Sequence, residues 1–185
     1  MAEALFPDEA LVEVQKQGST KVNVTVDIDN FEESGFEREI ETRPFFGGAK
    51  VTIKKPQADG ELTLNAKITR ALWDQMLWGG TGSSFTSGGD QDPYRITFLV
   101  TKQSGITAAS DALAAGSDHY RKTYANCFMT GFNPKLEAEG MLEGEATFMV
   151  SPRDESADPN VLVQIGDSVG SGFAAHADFI VGTKW

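Results

Sequence analysis

Between Lys21 and Asp29 the chain alternates without interruption: Val22, Val24, Val26 and Ile28 share one parity, and Lys21, Asn23, Thr25, Asp27 and Asp29 the other. A period of two predicts a strand with one buried face, because successive side chains leave opposite sides of a pleated ribbon. Farther on, Glu37, Glu39 and Glu41 alternate with Phe36, Arg38 and Ile40. After the corner Pro44-Phe45-Phe46-Gly47-Gly48, Val51 and Ile53 alternate with lysines and a threonine up to Lys55. These stretches predict a long charged hairpin near 36–55, weakly buried on either face. Pro56 to Gly60 reads as a turn, and Glu61–Ile68 as a strand with Leu62, Leu64, Ala66 and Ile68 inward.

The period changes once. Thr69 is a candidate N-cap, and Leu72, Trp73, Met76 and Leu77 follow at helical spacing before Gly79 and Gly80, predicting a helix near 70–78 packed through those four side chains. A Gly- and Ser-rich loop from Gly79 to Asp92 precedes a strand over Tyr94–Lys102 with Ile96, Phe98 and Val100 on one face. Ser104–Ser117 fits a short helix or an ordered loop equally well. Tyr120–Thr130 and Val161–Ile165 read as strands.

The longest pattern runs from Lys135 to Val150. Leu136, Ala138, Gly140, Leu142, Gly144, Ala146, Phe148 and Val150 take one parity, with Glu137, Glu139, Glu143 and Glu145 among the other. That predicts one very long strand, or two joined by a bulge at Gly140. At ~3.3 Å per residue a single strand would exceed ~50 Å. Strands of that length need long neighbours, which sheets shared between subunits provide. Apolar residues in the N-terminal stretch 1–20 (Leu5, Phe6, Leu11, Val14) and the C-terminal stretch 166–185 (Phe173, Phe179, Ile180, Trp185) mark two arms flanking a domain at 21–165. They fit contacts with neighbouring subunits or arms folded back on their own domain.

Composition narrows the function. A chain of 185 residues, 40% hydrophobic and 23% charged, fits one core without metal or disulfide. Asp and Glu number 27 against 16 Lys and Arg, a net charge of −11 that argues against binding nucleic acid or anionic lipid. Acidic residues near Met1 and the lack of an apolar block speak against a signal peptide, so synthesis in a host cytoplasm is expected. Cys127 stands alone. His119 and His176 lie outside any zinc-ligand spacing, and Asp118-His119 beside Ser117 lacks a nucleophile elbow. The glycine-rich loop has no phosphate-binding lysine, and neither Asp90 with Asp92 nor Asp27 with Asp29 matches a calcium loop; the latter pair reads as solvated on the polar face of a strand. No catalytic residue, metal or cofactor is expected, and the chain reads as non-enzymatic.

Two segments, VNVTVDIDNFEESGFEREIETRPFFGGAKVTIKKPQADGELTLNAKITRALWDQMLWG and YRKTYANCFMTGFNPKLEAEGMLEGEATFMVSP, resemble in their order of elements the major tail tube proteins of long-tailed viruses of bacteria and archaea. The likeness runs from about Val22 to Pro152. It implies a mainly β, sandwich- or barrel-like fold with one flanking α-helix, and six subunits whose inner sheets join around a lumen. Stacked rings would form the virion's tail tube, with the tape-measure, tail terminator and baseplate proteins as partners. Genomic DNA would pass without specific binding. Glu137, Glu139, Glu143 and Glu145 would then line the lumen, and Phe45, Phe46 and Lys50 would contact the next ring. A non-catalytic β-sandwich binding module and a neck or baseplate ring of the same virion are the alternatives.

Overall fold

Antiparallel pairing organises nearly all of the regular structure in this computed structural model, which describes residues 9–44, 50–80, 85, 88–136, 140, 142–166 and 170–185. The elements are β1 (Glu9–Lys16), β2 (Lys21–Asn23), β3 (Ile28–Gly35), β4 (Arg38–Pro44), β5 (Lys50–Gln57), β6 (Gly60–Lys67), α1 (Leu72–Trp78), β7 (Tyr94–Thr101), β8 (His119–Leu136), β9 (Leu142–Val150) and β10 (Val161–Gly166). The fold is mainly β with one helix. Sheet A has the order β2-β1-β7-β8-β10, and sheet B the order β8-β9-β6-β3. β8 belongs to both: its first half pairs β7 and β10, its second half β9. The chain also joins β2 at one end of this array to β3 at the other, which wraps the sheets around one core. β4 and β5 pair only with each other.

The core fills the space between the sheets. Val12, Val14, Leu62, Leu64, Tyr94, Ile96, Tyr124, Phe148 and Val150 are all buried there, joined by Trp73 and Met76 of α1. The expected inward face of β6 is correct: Leu62, Leu64 and Ala66 alternate with Glu61, Thr63 and Asn65. α1 is shorter than expected and starts at an Ala71 cap. Thr69 does not cap it, because its hydroxyl donates to Asp27 Oδ1 at 2.8 Å. Of the four predicted packing residues, Trp73 and Met76 are buried and Leu72 and Leu77 half-buried against the same core. Gly79 ends the helix at φ 73, and a Cβ there would meet the Asp90 carbonyl oxygen at 2.1 Å, so only glycine fits.

Two strand predictions are overturned. Lys21–Asp29 is not one strand: β2 stops at Asn23 and a 3-10 turn occupies Thr25–Asp27, leaving Val26 80% exposed and Asp27 buried. The Val12 amide donates to Thr25 Oγ1 at 2.9 Å, and the Val24 amide to the Val12 carbonyl at 2.9 Å. Arg70 Nε lies 3.0 Å from Asp27 Oδ2, so Asp27 is ion-paired in the interior rather than solvated. Nor is Lys135–Val150 a single strand. Leu136 pairs with Leu142, so the chain reverses between them. The two paired residues share a parity, and alternation therefore carries through the reversal as if no turn were there. The long strand is β8, at 18 residues. Register shifts between β7 and β8 near Asn126 (φ 54), and again between Met129 and Gly131, change which parity faces the core and hide its length from a simple alternation test.

The second face of sheet A is covered as well. Leu11 and Leu99 pack there under Ala109, Leu113, Ile106 and Phe173, the loop over 104–118 being an ordered cover without helix. Beside them the face is polar yet buried: Glu13, Gln15, Arg95, Thr97, Arg121 and Thr123. Residues 170–185 cross it as a strap, and the stretch 1–20 contains β1, an interior strand of sheet A. Arg121 donates to the carbonyls of Asp111 and Ala174 at 2.8 and 2.7 Å and lies over the Phe173 ring. Arg95 donates to the Ala177 and Lys184 carbonyls and to Gln15, and lies over Phe179. Burial holds the Arg121 guanidinium down to about 10. Main-chain carbonyl acceptors and aromatic faces hold both cations, and the buried Glu13 carboxylate favours their charge.

Phe148 is fully buried, so Phe148→Ala is expected to cost about 3–5 kcal/mol in denaturant-induced unfolding with the m-value unchanged. His176 belongs to the strap and reaches sheet A through a 2.8 Å hydrogen bond between its Nε2 and Thr123 Oγ1. Burial, followed by the charges of Arg121, Arg95 and Lys21, lowers its pKa to about 3 from 6.5. The unfolded chain therefore binds this proton first, and the stability His176 contributes above pH 6.5 is lost as pH falls towards 3. His176→Gln should flatten the stability profile between pH 6.5 and 5, above the range of most carboxylates, as read by unfolding at each pH.

Candidate assembly surfaces

The outward face of sheet B is built by the parity that β6 and β9 leave after burying Leu62, Leu64, Ala146 and Phe148. Cross-strand register orders it in rows. Lys135, Glu143 and Lys67 form one row, and Asp29 reaches it through a 3.0 Å ion pair with Lys67. Asn133, Glu145, Asn65 and Asn30 form the next, and Thr147 and Thr63 with Glu32 the third. Phe128, Met149, Glu61 and Ser34 form the last, at the end of the sheet where the β4–β5 hairpin emerges.

Glu143 and Glu145 are exposed on this face, while Glu137 and Glu139 lie outside the described residues. The face is less uniformly acidic than glutamates at alternate positions suggest, because the register brings Lys67 and Lys135 to either side of Glu143. The hydrogen bond from Lys67 to Asp29 raises the lysine's pKa, with Asp29 and Glu143 adding to the effect through their charge. The sequence could not show this interleaving, since it arises only once three strands are in register.

Both edges of sheet B are unpaired among the described residues. β3 bonds only to β6, and residues 131–136 of β8 bond only to β9. At one end of the sheet, Leu136 (73% exposed) and Leu142 project beyond the core. At the other, where Gly35, Gly60 and Val150 align, the chain leaves as the β4–β5 hairpin. Phe36 closes over Gly60 there, in a space that a Cβ would fill.

The hairpin has no core of its own. Ile40 is 59% exposed, and Val51 and Ile53 also face solvent. Register places Ile40, Thr42, Thr52, Lys50 and Lys54 on one face, and Glu41, Arg43, Val51 and Ile53 on the other. The second face neutralises itself through an Arg43–Glu41 pair, and Lys55 pairs with Glu39 at 2.8 Å. Lys50 and Lys54 have no ion-pair partner among the described residues. Phe45 and Phe46 fall outside those residues, and Lys50 opens β5 fully exposed. An isolated two-stranded ribbon is marginal in water.

No group of three or more His, Cys, Asp or Glu could hold a metal among the described residues. His119 is buried between Thr101 Oγ1 and the Ala114 carbonyl, both at 2.9 Å. Cys127 is fully buried, and burial pushes its thiol well above the usual range.

No protein-family model matches the chain, and no curated protein sequence matches it. Solved structures do. A chain of the sheath-tube complex of an extracellular contractile injection system (PVC), in the extended state, superposes with a TM-score of 0.52 at 15% identity, over 89% of this chain and 94% of that one. A chain of the anti-feeding prophage (AFP) baseplate gives 0.52 at 10% identity, over 88% and 97%. One from the AFP tube-terminating cap gives 0.50 at 14%, over 84% and 88%. At these identities the likeness is one of fold.

Because β4 and β5 bury nothing against the body, replacing Ile40, Val51 and Ile53 together by serine should shift the stability of the unassembled chain by less than about 0.5 kcal/mol. Thermal melts of dilute protein at matched pH check this.

Proposed function

We propose that this chain is the subunit of a tail tube, closing into rings of six through the edges of sheet B and stacking ring on ring. The observation that carries the reading is the combination in sheet B of a polar outward face with two unpaired edges. Edge-to-edge pairing between copies satisfies the free backbone groups and leaves that polar face on the inside of a continuous barrel. The curvature set by β8, whose bulges turn it from one sheet into the other, suits closure. The similarity in fold to chains of a sheath-tube complex, a tube cap and a baseplate supports the same reading.

In this reading Glu143 and Glu145, together with Glu137 and Glu139, line the lumen. Carboxylates beside Lys67 keep cations from presenting a free binding site to a polyanion, so DNA slides through without adhering. The hairpin, with Phe45, Phe46 and Lys50 towards its tip, links one ring to the next. Ring stacking is a head-to-tail association without closure along the axis, and so makes a filament. The tape-measure, terminator and baseplate proteins are the partners at the lumen and the two ends, and the assembled protein resides in the tail of a virion. The likeness to cap and baseplate chains also favours a second reading, a single ring at a tube end, which makes rings but no filaments.

Negative-stain electron microscopy of the purified protein across concentration and salt separates the readings. Tubes of uniform width with a central channel are expected. Deleting Arg43–Lys50 should leave folded subunits that no longer stack, and normal tubes from that variant would refute the hairpin's role. Replacing Glu32 in the edge strand β3 by proline should prevent ring closure while leaving the monomer's far-ultraviolet spectrum intact.

A further inference from the structure

The hairpin is a basic appendage on an acidic body. Between Arg38 and Lys55 it carries Arg38, Arg43, Lys50, Lys54 and Lys55 against Glu39 and Glu41, in a chain whose net charge is −11. Its two acids are taken up by Arg43 and Lys55. The face that holds Ile40 is left with Lys50 and Lys54 at either side of Thr52, all exposed. A partner for that face must offer apolar surface rimmed by carboxylates.

A groove of that kind lies beside the last row of sheet B. Phe128 and Met149, cross-strand neighbours on an otherwise polar face, are both exposed there. They form the floor of a groove of about 720 Å³ whose rim includes Asp59, Asp154 and Glu155. Arg153 also lines the groove, its guanidinium donating to the Ala157 carbonyl. Asp59 accepts a hydrogen bond from Ser151 at 2.7 Å, and Asp154 holds Lys184 at 2.7 Å. Glu155 is exposed and has no partner among the described residues.

We propose that this groove receives the Ile40 face of the β4–β5 hairpin from a second copy of the chain, with Lys50 and Lys54 meeting the carboxylate rim. The chain's own hairpin is excluded: it starts next to Asp59 and runs outward for about 23 Å, at ~3.3 Å per residue, burying no side chain of β5. Complementary charge sets the register of the contact and makes it sensitive to salt, while Ile40 on Phe128 and Met149 supplies the apolar anchor. The inference rests on the hairpin being a contact between copies, and it specifies what the hairpin touches.

Paired cysteines test it without removing an anchor. Thr52→Cys lies on the docking face between the two lysines, and Ser156→Cys lines the groove; both sites are exposed, and the native Cys127 is buried. Each full-length variant is purified, the two are mixed at concentrations where wild type assembles, and a short bis-maleimide is added. A cross-linked species of twice the chain mass should form in the mixture, be at least ten-fold weaker with either variant alone, and fade as salt rises. Adding Lys50→Glu and Lys54→Glu to the Thr52→Cys chain should abolish it, and Glu155→Lys with Asp59→Lys on the other chain should restore it in part. Tubes without this cross-link overturn the docking proposal and leave the tube reading standing. The cross-link without tubes or rings upholds the docking and overturns the tube reading, and neither product overturns both.

Discussion

Antiparallel hydrogen bonding along β8 is the constraint on which the rest of the structure depends. This 18-residue strand gives its first half to sheet A and its second half to sheet B. Two register shifts turn it between them. Because one strand serves both sheets, the sheets face each other at a fixed spacing, and the core of Tyr124, Cys127, Met129 and Phe148 closes around the bend. A strand shared in this way also sets where the sheets end. Sheet B is left with β3 and the far half of β8 as edges, and sheet A with β2 and β10.

The two faces of sheet A show how a polar layer is buried around two cations and the Glu13 carboxylate. Arg95 and Arg121 point away from the core into a layer closed by residues 170–185. There they donate to main-chain carbonyls and lie over Phe173 and Phe179. Desolvation lowers the pKa of both, and their hydrogen bonds recover part of what hydration would have supplied. The consequence is a strap held by side chains of strands distant in sequence. Sheet A is thereby covered on both faces, whereas sheet B keeps one face solvated.

The β4–β5 hairpin and the groove at Phe128 and Met149 belong to the same logic. Each exposes apolar side chains that a solitary domain gains nothing by exposing, and each carries the charge the other lacks. Both lie at the end of sheet B where β3 leaves and β6 enters, so contacts made there adjoin those that free edges make. In the proposed assembly, electrostatics orients the approach of copies, while the backbone edges and a few apolar anchors hold them.

Period-two alternation was enough to determine a mainly β chain, the inward face of Leu62, Leu64 and Ala66, the exposed hairpin near 36–55 and the single helix, whose glycine stop at Gly79 follows from the helical spacing before it. These are local properties: each depends on neighbours a few residues away, which the sequence states directly. The reversal between Leu136 and Leu142 was hidden, because a turn joining residues of equal parity leaves alternation intact. The break after Asn23 was hidden too, because it is caused by Val12, in another strand. Tertiary structure alone decided that Asp27 is buried with Arg70, that Lys67 and Lys135 flank Glu143, and that the C-terminal stretch crosses sheet A. Each depends on register between strands far apart in sequence, and register is fixed by the packing of the whole core.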